Sequence, residues 1–118
     1  MSIGLLNVFR VKATIPSGQS VSSVVDLEDC EVLGLFVPAL NNTPSITFQV
    51  ADDEDSTPVD LLNKDGSTAS ITISGGASGF AVSSEDLKPL LGYRFVRVKS
   101  SAAQTADRHF YFIVKRPG

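Results

Sequence analysis

The chain has 118 residues, 42% hydrophobic and 19% charged, which is the composition of a globular protein and excludes a disordered or fibrous one. Its formal net charge of −3 argues against a nucleic-acid binder, which would need a basic stripe for phosphate contacts, so no nucleic acid is expected as a partner. A single cysteine, Cys30, excludes an intrachain disulfide and a multi-cysteine zinc cluster, so the fold has to depend on packing.

The length predicts a single domain over residues 1–118, with residues 1–7 as a candidate N-terminal arm. The first residues, MSIGLLNVFRVK, contain no basic n-region, and no apolar run approaches the roughly 18 residues of a membrane span. We therefore expect a chain that is made in a cytosol, is not exported by this route and has no membrane partner.

Strands are predicted wherever apolar and polar residues alternate with a period of two. Three windows show this pattern with their apolar members pointing inward: Phe9–Ile15, Ile46–Val50 and Ile71–Ile73. Two further windows, Val32–Val37 and Phe110–Val114, have no clean polar face. These two are predicted to be central strands, or strands whose outer face meets another subunit.

Turn signals rich in Gly, Pro, Asn and Ser separate these windows at intervals of about 10 to 25 residues, without a long helical pattern between them. This spacing predicts an all-β fold, an antiparallel β-sandwich of jelly-roll type with about eight strands. The exception is SSEDLKPLL, in which Ser83 or Ser84 can cap a helix and Pro89 is expected to stop it. At most one short helical turn is expected there.

The charges are unevenly distributed along the sequence. Ten of the thirteen acidic residues lie between Asp26 and Asp65, and seven of the ten basic residues lie from Lys88 onward. If these segments reach different faces of the fold, the molecule is a dipole suited to oriented docking. Dispersal of the charges by folding is the alternative.

Four consecutive acids, Asp52–Asp55, suggest a calcium loop, because calcium binds six to eight oxygen ligands. The EF-hand pattern fails, since Pro58 stands at the glycine position and Lys64 at the bidentate glutamate position. A cation site of another type, built from Asp52, Asp55 and Asp60, remains open. The favoured interpretation is a solvated strand connection that discourages edge pairing.

Catalytic candidates are few. His109 is the only histidine, and its position beside Phe110 in RHFYFIVK favours a sheet or interface residue over a general base. The segment Gly76–Phe80 has Phe80 where a nucleophile elbow needs its second glycine. No catalytic residue, metal or cofactor is therefore predicted, and we do not expect an enzyme. With no Trp, only Tyr93 and Tyr111 offer polar-tipped aromatic side chains for a carbohydrate.

The segment YRFVRVKS places Tyr93, Phe95, Arg97 and Lys99 on one side of a predicted strand. Tyr, Phe and Arg are enriched in the buried parts of protein interfaces, so the pattern favours a docking face. An ordinary strand whose arginine stems cover apolar neighbours is the alternative.

The order of these segments, from about Ala13 to Lys115, resembles a group of small proteins encoded in the head and structural modules of tailed bacteriophages and prophages. The residues that carry the resemblance are scaffold and turn residues: Gly18 to Ser20, Asp26-Leu27, Gly34 with Pro38-Ala39, Thr47-Phe48-Gln49, Asp60-Leu61, Arg94 and Ala106-Asp107-Arg108. The chain departs from the pattern at Asn41-Asn42-Thr43 and at Asp53-Glu54-Asp55, so the loop contacts of those proteins are not transferred.

The resemblance implies a virion structural protein, expected to be a decoration or cement protein on the capsid exterior, made in the cytoplasm of a bacterial host. It also implies a homotrimer that binds the major capsid protein. Another virion component, such as a connector, tail or fibre part, and a carbohydrate-binding module are the alternatives. With the segment Ile3–Phe9, the predicted capsid-facing or intersubunit residues are Arg94, Phe95, Arg97, Arg108, Tyr111, Lys115 and Arg116.

Overall fold

The computed structural model describes residues 7–42, 45–72 and 80–117. Within these ranges the chain forms nine β-strands and a 3-10 helix between the seventh and eighth strands. The strands are β1 (Val8–Ile15), β2 (Val25–Asp26), β3 (Glu31–Val37), β4 (Ser45–Ala51), β5 (Val59–Asp60), β6 (Ser70–Thr72), β7 (Phe80–Ser83), β8 (Phe95–Ser100) and β9 (Arg108–Lys115), and the helix is Ser84–Leu90.

The strands form two antiparallel sheets. Sheet I has the strand order β1-β9-β3-β7, and sheet II has the order β2-β8-β4-β5, with β6 also paired to β4. Apolar side chains of both sheets meet in one buried cluster, which is the arrangement of a β-sandwich. The predicted all-β sandwich is confirmed. No helix in the described ranges is long and apolar enough to cross a membrane.

The period-two windows lie where the sequence predicts them. In β1, Ala13 and Ile15 are fully buried while Arg10 and Lys12 are exposed. The window Ile46–Val50 lies in β4, where Ile46, Phe48 and Val50 are buried. Ile71 of the third window is buried in β6, whereas Ile73 lies outside the described residues.

The two windows without a polar face become neighbouring central strands of sheet I. Val32–Val37 lies in β3 and Phe110–Val114 in β9, and β9 pairs with β1 on its other side. The inner row of β9, which consists of Phe110, Phe112 and Val114, is fully buried. The ring of Phe112 meets Phe48 of sheet II with centroids 6.4 Å apart, so β9 joins the two layers.

A bulge interrupts the pairing of β3 with β9 between Val32 and Gly34. Immediately after it, a Cβ added to Gly34 would lie 3.2 Å from the carbonyl oxygen of Val82 in β7. Glycine therefore allows the backbones of β3 and β7 to approach closely at this point.

The helix differs from its prediction because it is longer than one turn and contains Pro89. Leu87 and Leu90 are both buried, and a spacing of three residues places them on the same side of a 3-10 helix. Their burial against the core extends the helix beyond the point where the proline was expected to end it. Ser83 occupies the N-cap position but makes no side-chain capping hydrogen bond.

Replacing Phe112 by alanine should lower the free energy of unfolding by about 3–5 kcal/mol, because it removes the ring that connects the sheets and leaves a cavity. Urea unfolding followed by circular dichroism would measure the loss. The exposed Lys12→Ala variant is the control and should change stability by no more than about 0.5 kcal/mol. Equal losses in the two variants would contradict the central position of β9 in the core.

Candidate interaction surface

The outer surface of sheet I brings aromatic and basic side chains together. Residues directly opposite each other in an antiparallel pair lie on the same face of the sheet. Tyr111 of β9 stands between Lys12 of β1 and Phe36 of β3, and Ile113 stands beside Arg10 of β1. We call these five residues the aromatic–cationic face.

Apolar groups of this face are open to solvent. Phe36 is 50% exposed, although it lies near the centre of the sheet, and Tyr111 and Ile113 beside it are half-buried. Beyond Phe36 the sheet continues with the small residue Ala81 of β7, which leaves the phenyl ring uncovered on that side. Exposed aromatic groups grouped on a regular sheet are typical of interaction surfaces.

The two cations of the face are not neutralised by the chain's own described residues. The guanidinium of Arg10 lies over the ring of Tyr111, with its central carbon 4.8 Å from the ring centroid. Among residues 7–42, 45–72 and 80–117, the ion pairs are Lys88–Glu85, Arg94–Asp26 and Arg116–Glu28. Arg10 and Lys12 are therefore available to carboxylates of a partner.

Sheet II presents a different outer surface, in which polar groups bind each other. Arg97 Nε donates to Gln49 Oε1 at 2.7 Å, and Gln49 Nε2 donates to Asp60 Oδ1 at 2.8 Å. These two hydrogen bonds connect β8, β4 and β5 along one row of the register. The hydrogen-bonding groups of this row are thus already engaged within the sheet, unlike the cations on sheet I.

A bidentate ion pair ties β2 to the start of β8. Arg94 donates from Nε to Asp26 Oδ1 at 2.8 Å and from its terminal nitrogen to Oδ2 at 2.9 Å. These hydrogen bonds lower the pKa of Asp26 below its ordinary value. The backbone N–H of Leu27 also donates to the carbonyl of Arg94 at 2.7 Å, so the contact is a structural clasp.

The predicted site residues of YRFVRVKS lie on sheet II. Phe95 and Arg97 alternate with the buried Val96 and Val98 as expected, and Arg94 precedes the strand and is bound to Asp26. Tyr111 and Lys115 lie on the outer side of sheet I instead. The structure therefore does not bring the seven predicted residues onto one surface.

The other two predicted residues lie at the edges of the sandwich. The terminal nitrogen of Arg108 donates to Asn41 Oδ1 at 2.6 Å, which holds the loop before β4. Arg116 lies over the ring of Phe9 at 4.5 Å and is 3.8 Å from Glu28. Acidic residues of the 26–31 segment thus lie next to C-terminal cations, so folding partly disperses the sequence's charge segregation. Ile3 to Leu6 lie outside the described residues.

The acidic loop Asp52–Asp55 is exposed. Asp53 Oδ1 accepts from the backbone N–H groups of Asp55 at 2.9 Å and Ser56 at 2.8 Å. Hydrogen bonds from Ser56 and Asp55 lower the pKa of Asp53, so the carboxylate stabilises a turn. Over the described part of the chain, no group of three or more His, Cys, Asp or Glu could hold a metal ion.

The remaining candidates are separated in the fold. His109 is exposed on sheet I with Nδ1 2.9 Å from the hydroxyl of Thr14. Tyr93 lies beside Val59 at the end of sheet II, whereas Tyr111 lies on sheet I, so the two tyrosines do not form one platform for a sugar. Of the Gly76–Phe80 window, residues 76–79 lie outside the described residues.

Three members of the aromatic–cationic face, Arg10, Lys12 and Phe36, were not among the predicted site residues. The sequence contained a signal for them, because Val32–Val37 has no polar face and Arg10 and Lys12 form the polar side of β1. What it did not contain was the pairing of both strands with β9.

No protein-family model and no curated protein matches the chain. Among solved structures, the chain is similar to the crystal structure of the SPBc2 prophage-derived protein YomS, with a TM-score of 0.48 and 15% sequence identity over 98% of this chain and 97% of that one. A likeness of this extent does not establish a shared function, which has to be argued from the surface itself.

The Asp26–Arg94 pair should make stability depend on pH. Because the pKa of Asp26 is lower in the folded chain than in the unfolded one, the pair's contribution is present above the ordinary aspartate pKa and is lost as pH falls through the folded value. Urea unfolding should therefore separate wild type from Asp26→Asn more at about pH 7 than at about pH 2.5. Arg94→Gln should reproduce this profile, and a difference independent of pH would contradict the assignment.

Proposed function

We propose that this chain is a structural protein of a tailed-bacteriophage virion and that it decorates the capsid exterior by binding the major capsid protein, without catalysing a reaction. The observation that carries the proposal is the aromatic–cationic face, a sheet surface with the exposed Phe36 beside Tyr111 and with cations that have no partner carboxylate in the described chain. The sequence resemblance to phage head-module proteins supplies the virion context.

The residues that carry this resemblance fix the shape of the sandwich. Gly18 adopts a φ of 85° in a turn. Its backbone N–H donates to the carbonyl of Gln104 at 2.7 Å. Asp107 accepts from the N–H of Ser17 at 2.9 Å next to this turn. Together with the Asp26–Arg94 clasp, these contacts support a role in which a defined surface is presented to other polypeptides.

Binding the assembled lattice, and not free capsid subunits, would stabilise the capsid by mass action. A ligand at about 100 times its Kd contributes about 2.7 kcal/mol for each occupied site. Several modest contacts to neighbouring capsid subunits gain further strength when they are engaged together. Such a function needs a rigid shape and a chemically matched surface.

A homotrimer on the capsid, with assembly after synthesis in the bacterial cytoplasm, is part of the proposal. It is supported by the sequence resemblance alone. Sedimentation of the purified chain at micromolar concentration, compared with the copy arrangement in a particle reconstruction, would separate a preformed trimer from one that assembles only on the lattice.

Substituting Phe36 by glutamate should strongly reduce binding to capsids of the encoding phage that lack this protein. A central interface residue of this kind contributes about 2 kcal/mol or more, which corresponds to about 30-fold in affinity. Thr47→Glu adds the same charge to the outer side of a central strand of sheet II and serves as the matched control. Co-sedimentation with capsids would give occupancy for both variants and for wild type.

Equal occupancy of capsids by Phe36→Glu and Thr47→Glu would contradict the role of the aromatic–cationic face in capsid binding. Absence of the chain from purified virions by mass spectrometry would overturn the virion assignment itself. Density at a connector, tail or fibre in a reconstruction would favour the other virion components, and glycan binding lost on mutation of Tyr93 or Tyr111 would favour a carbohydrate-binding module.

A further inference from the structure

We infer that the aromatic–cationic face binds an acidic protein surface, one whose Asp or Glu carboxylates border an apolar patch. The inference rests on the proposed function and adds the chemistry of the partner, which it identifies with a surface of the capsid subunits. It is carried by the charge of sheet I's outer side and by the position of its cations.

The outer side of sheet I carries the opposite charge to the molecule as a whole. Among the described strand residues on this side, the charged ones are the cations Arg10, Lys12 and Lys115 and the acid Glu31, which stands opposite Lys115 in the β3–β9 register. The described outer side of the sheet therefore has a formal charge of +2 within a chain of net charge −3. A partner matched to this surface is negatively charged where it meets β1.

The geometry places the cations beside the apolar residues of the face. Arg10 and Lys12 are two residues apart on the same side of β1, which separates their Cα atoms by about 6.8 Å. The guanidinium of Arg10 stacks on Tyr111, with its central carbon 4.8 Å from the ring centroid, so one cation lies directly over the aromatic centre of the face. Burial of Phe36 and Ile113 by a partner would exclude water from the neighbouring ion pairs and strengthen them.

Other occupants fit the surface less well. A two-fold symmetric contact through this face would bring together two copies of an outer surface with a formal charge of +2, and this repulsion disfavours the contact. Polyanionic occupants such as lipid surfaces attract clusters of about four to eight cations, whereas this face has two beside its aromatic centre. A protein surface with a few carboxylates around an apolar centre matches both the number of charges and the exposed aromatic groups.

The test compares Lys12→Glu with Lys99→Glu, which make the same charge change on the outer sides of sheets I and II. Binding to capsids prepared without this protein would be measured at about 50 mM and about 500 mM NaCl. We expect Lys12→Glu to bind about tenfold more weakly than wild type at low salt and Lys99→Glu to stay within about twofold. High salt should weaken wild type and bring it closer to Lys12→Glu.

The outcomes separate this inference from the proposed function. If wild type binds capsids but Lys12→Glu and Lys99→Glu have equal affinities, or if salt does not change the affinity of wild type, the inference of an acidic partner surface is contradicted. The proposal of capsid decoration is then unaffected. If wild type does not bind capsids, both the proposed capsid decoration and this inference are contradicted. Binding to phosphatidylserine vesicles instead, with the same dependence on Lys12, would overturn the protein partner. Unchanged circular dichroism spectra would show that both variants are folded.

Discussion

The alternation of side chains along β9 couples the core of this protein to its candidate surface. Phe110, Phe112 and Val114 point inward and are fully buried, and Phe112 reaches Phe48 of the opposite sheet. Because the side-chain period of a strand is two, a shift of one residue would expose this row, so burial fixes the register. Tyr111 consequently points outward between β1 and β3. The aromatic–cationic face thus follows from the packing of the core.

The two sheets use their outer sides differently. On sheet II, the hydrogen-bonded chain from Arg97 through Gln49 to Asp60 satisfies polar groups within the fold. These side-chain hydrogen bonds connect three neighbouring strands across the outer side of the sheet. On sheet I, Arg10 and Lys12 lie beside Tyr111, without a carboxylate partner among the described residues. That asymmetry makes sheet I the better candidate for contact with another protein.

The seven predicted site residues come from one part of the sequence but lie on different surfaces of the fold. The basic residues after Lys88 are neighbours along the chain, but β8 belongs to sheet II and β9 to sheet I. Antiparallel neighbours in a sandwich are often distant in sequence, as β1 and β9 are. Arg94 is one of the predicted site residues, and its guanidinium is engaged by Asp26 in the same chain. Sequence proximity therefore identified chemically important residues without identifying the surface to which each contributes.

The all-β class, the positions of the long strands and the direction of most side chains within them follow from the sequence alone. These properties depend on a period of two that is local to each segment. The sequence also distinguished Val32–Val37 and Phe110–Val114 as strands without a polar face. The strand order and the adjacency of β3 to β9 could be read only from the folded chain. Strand partners are chosen by non-local pairing and by burial of a shared core, so residues far apart in sequence, such as Arg10, Phe36 and Tyr111, meet only when the sheets form.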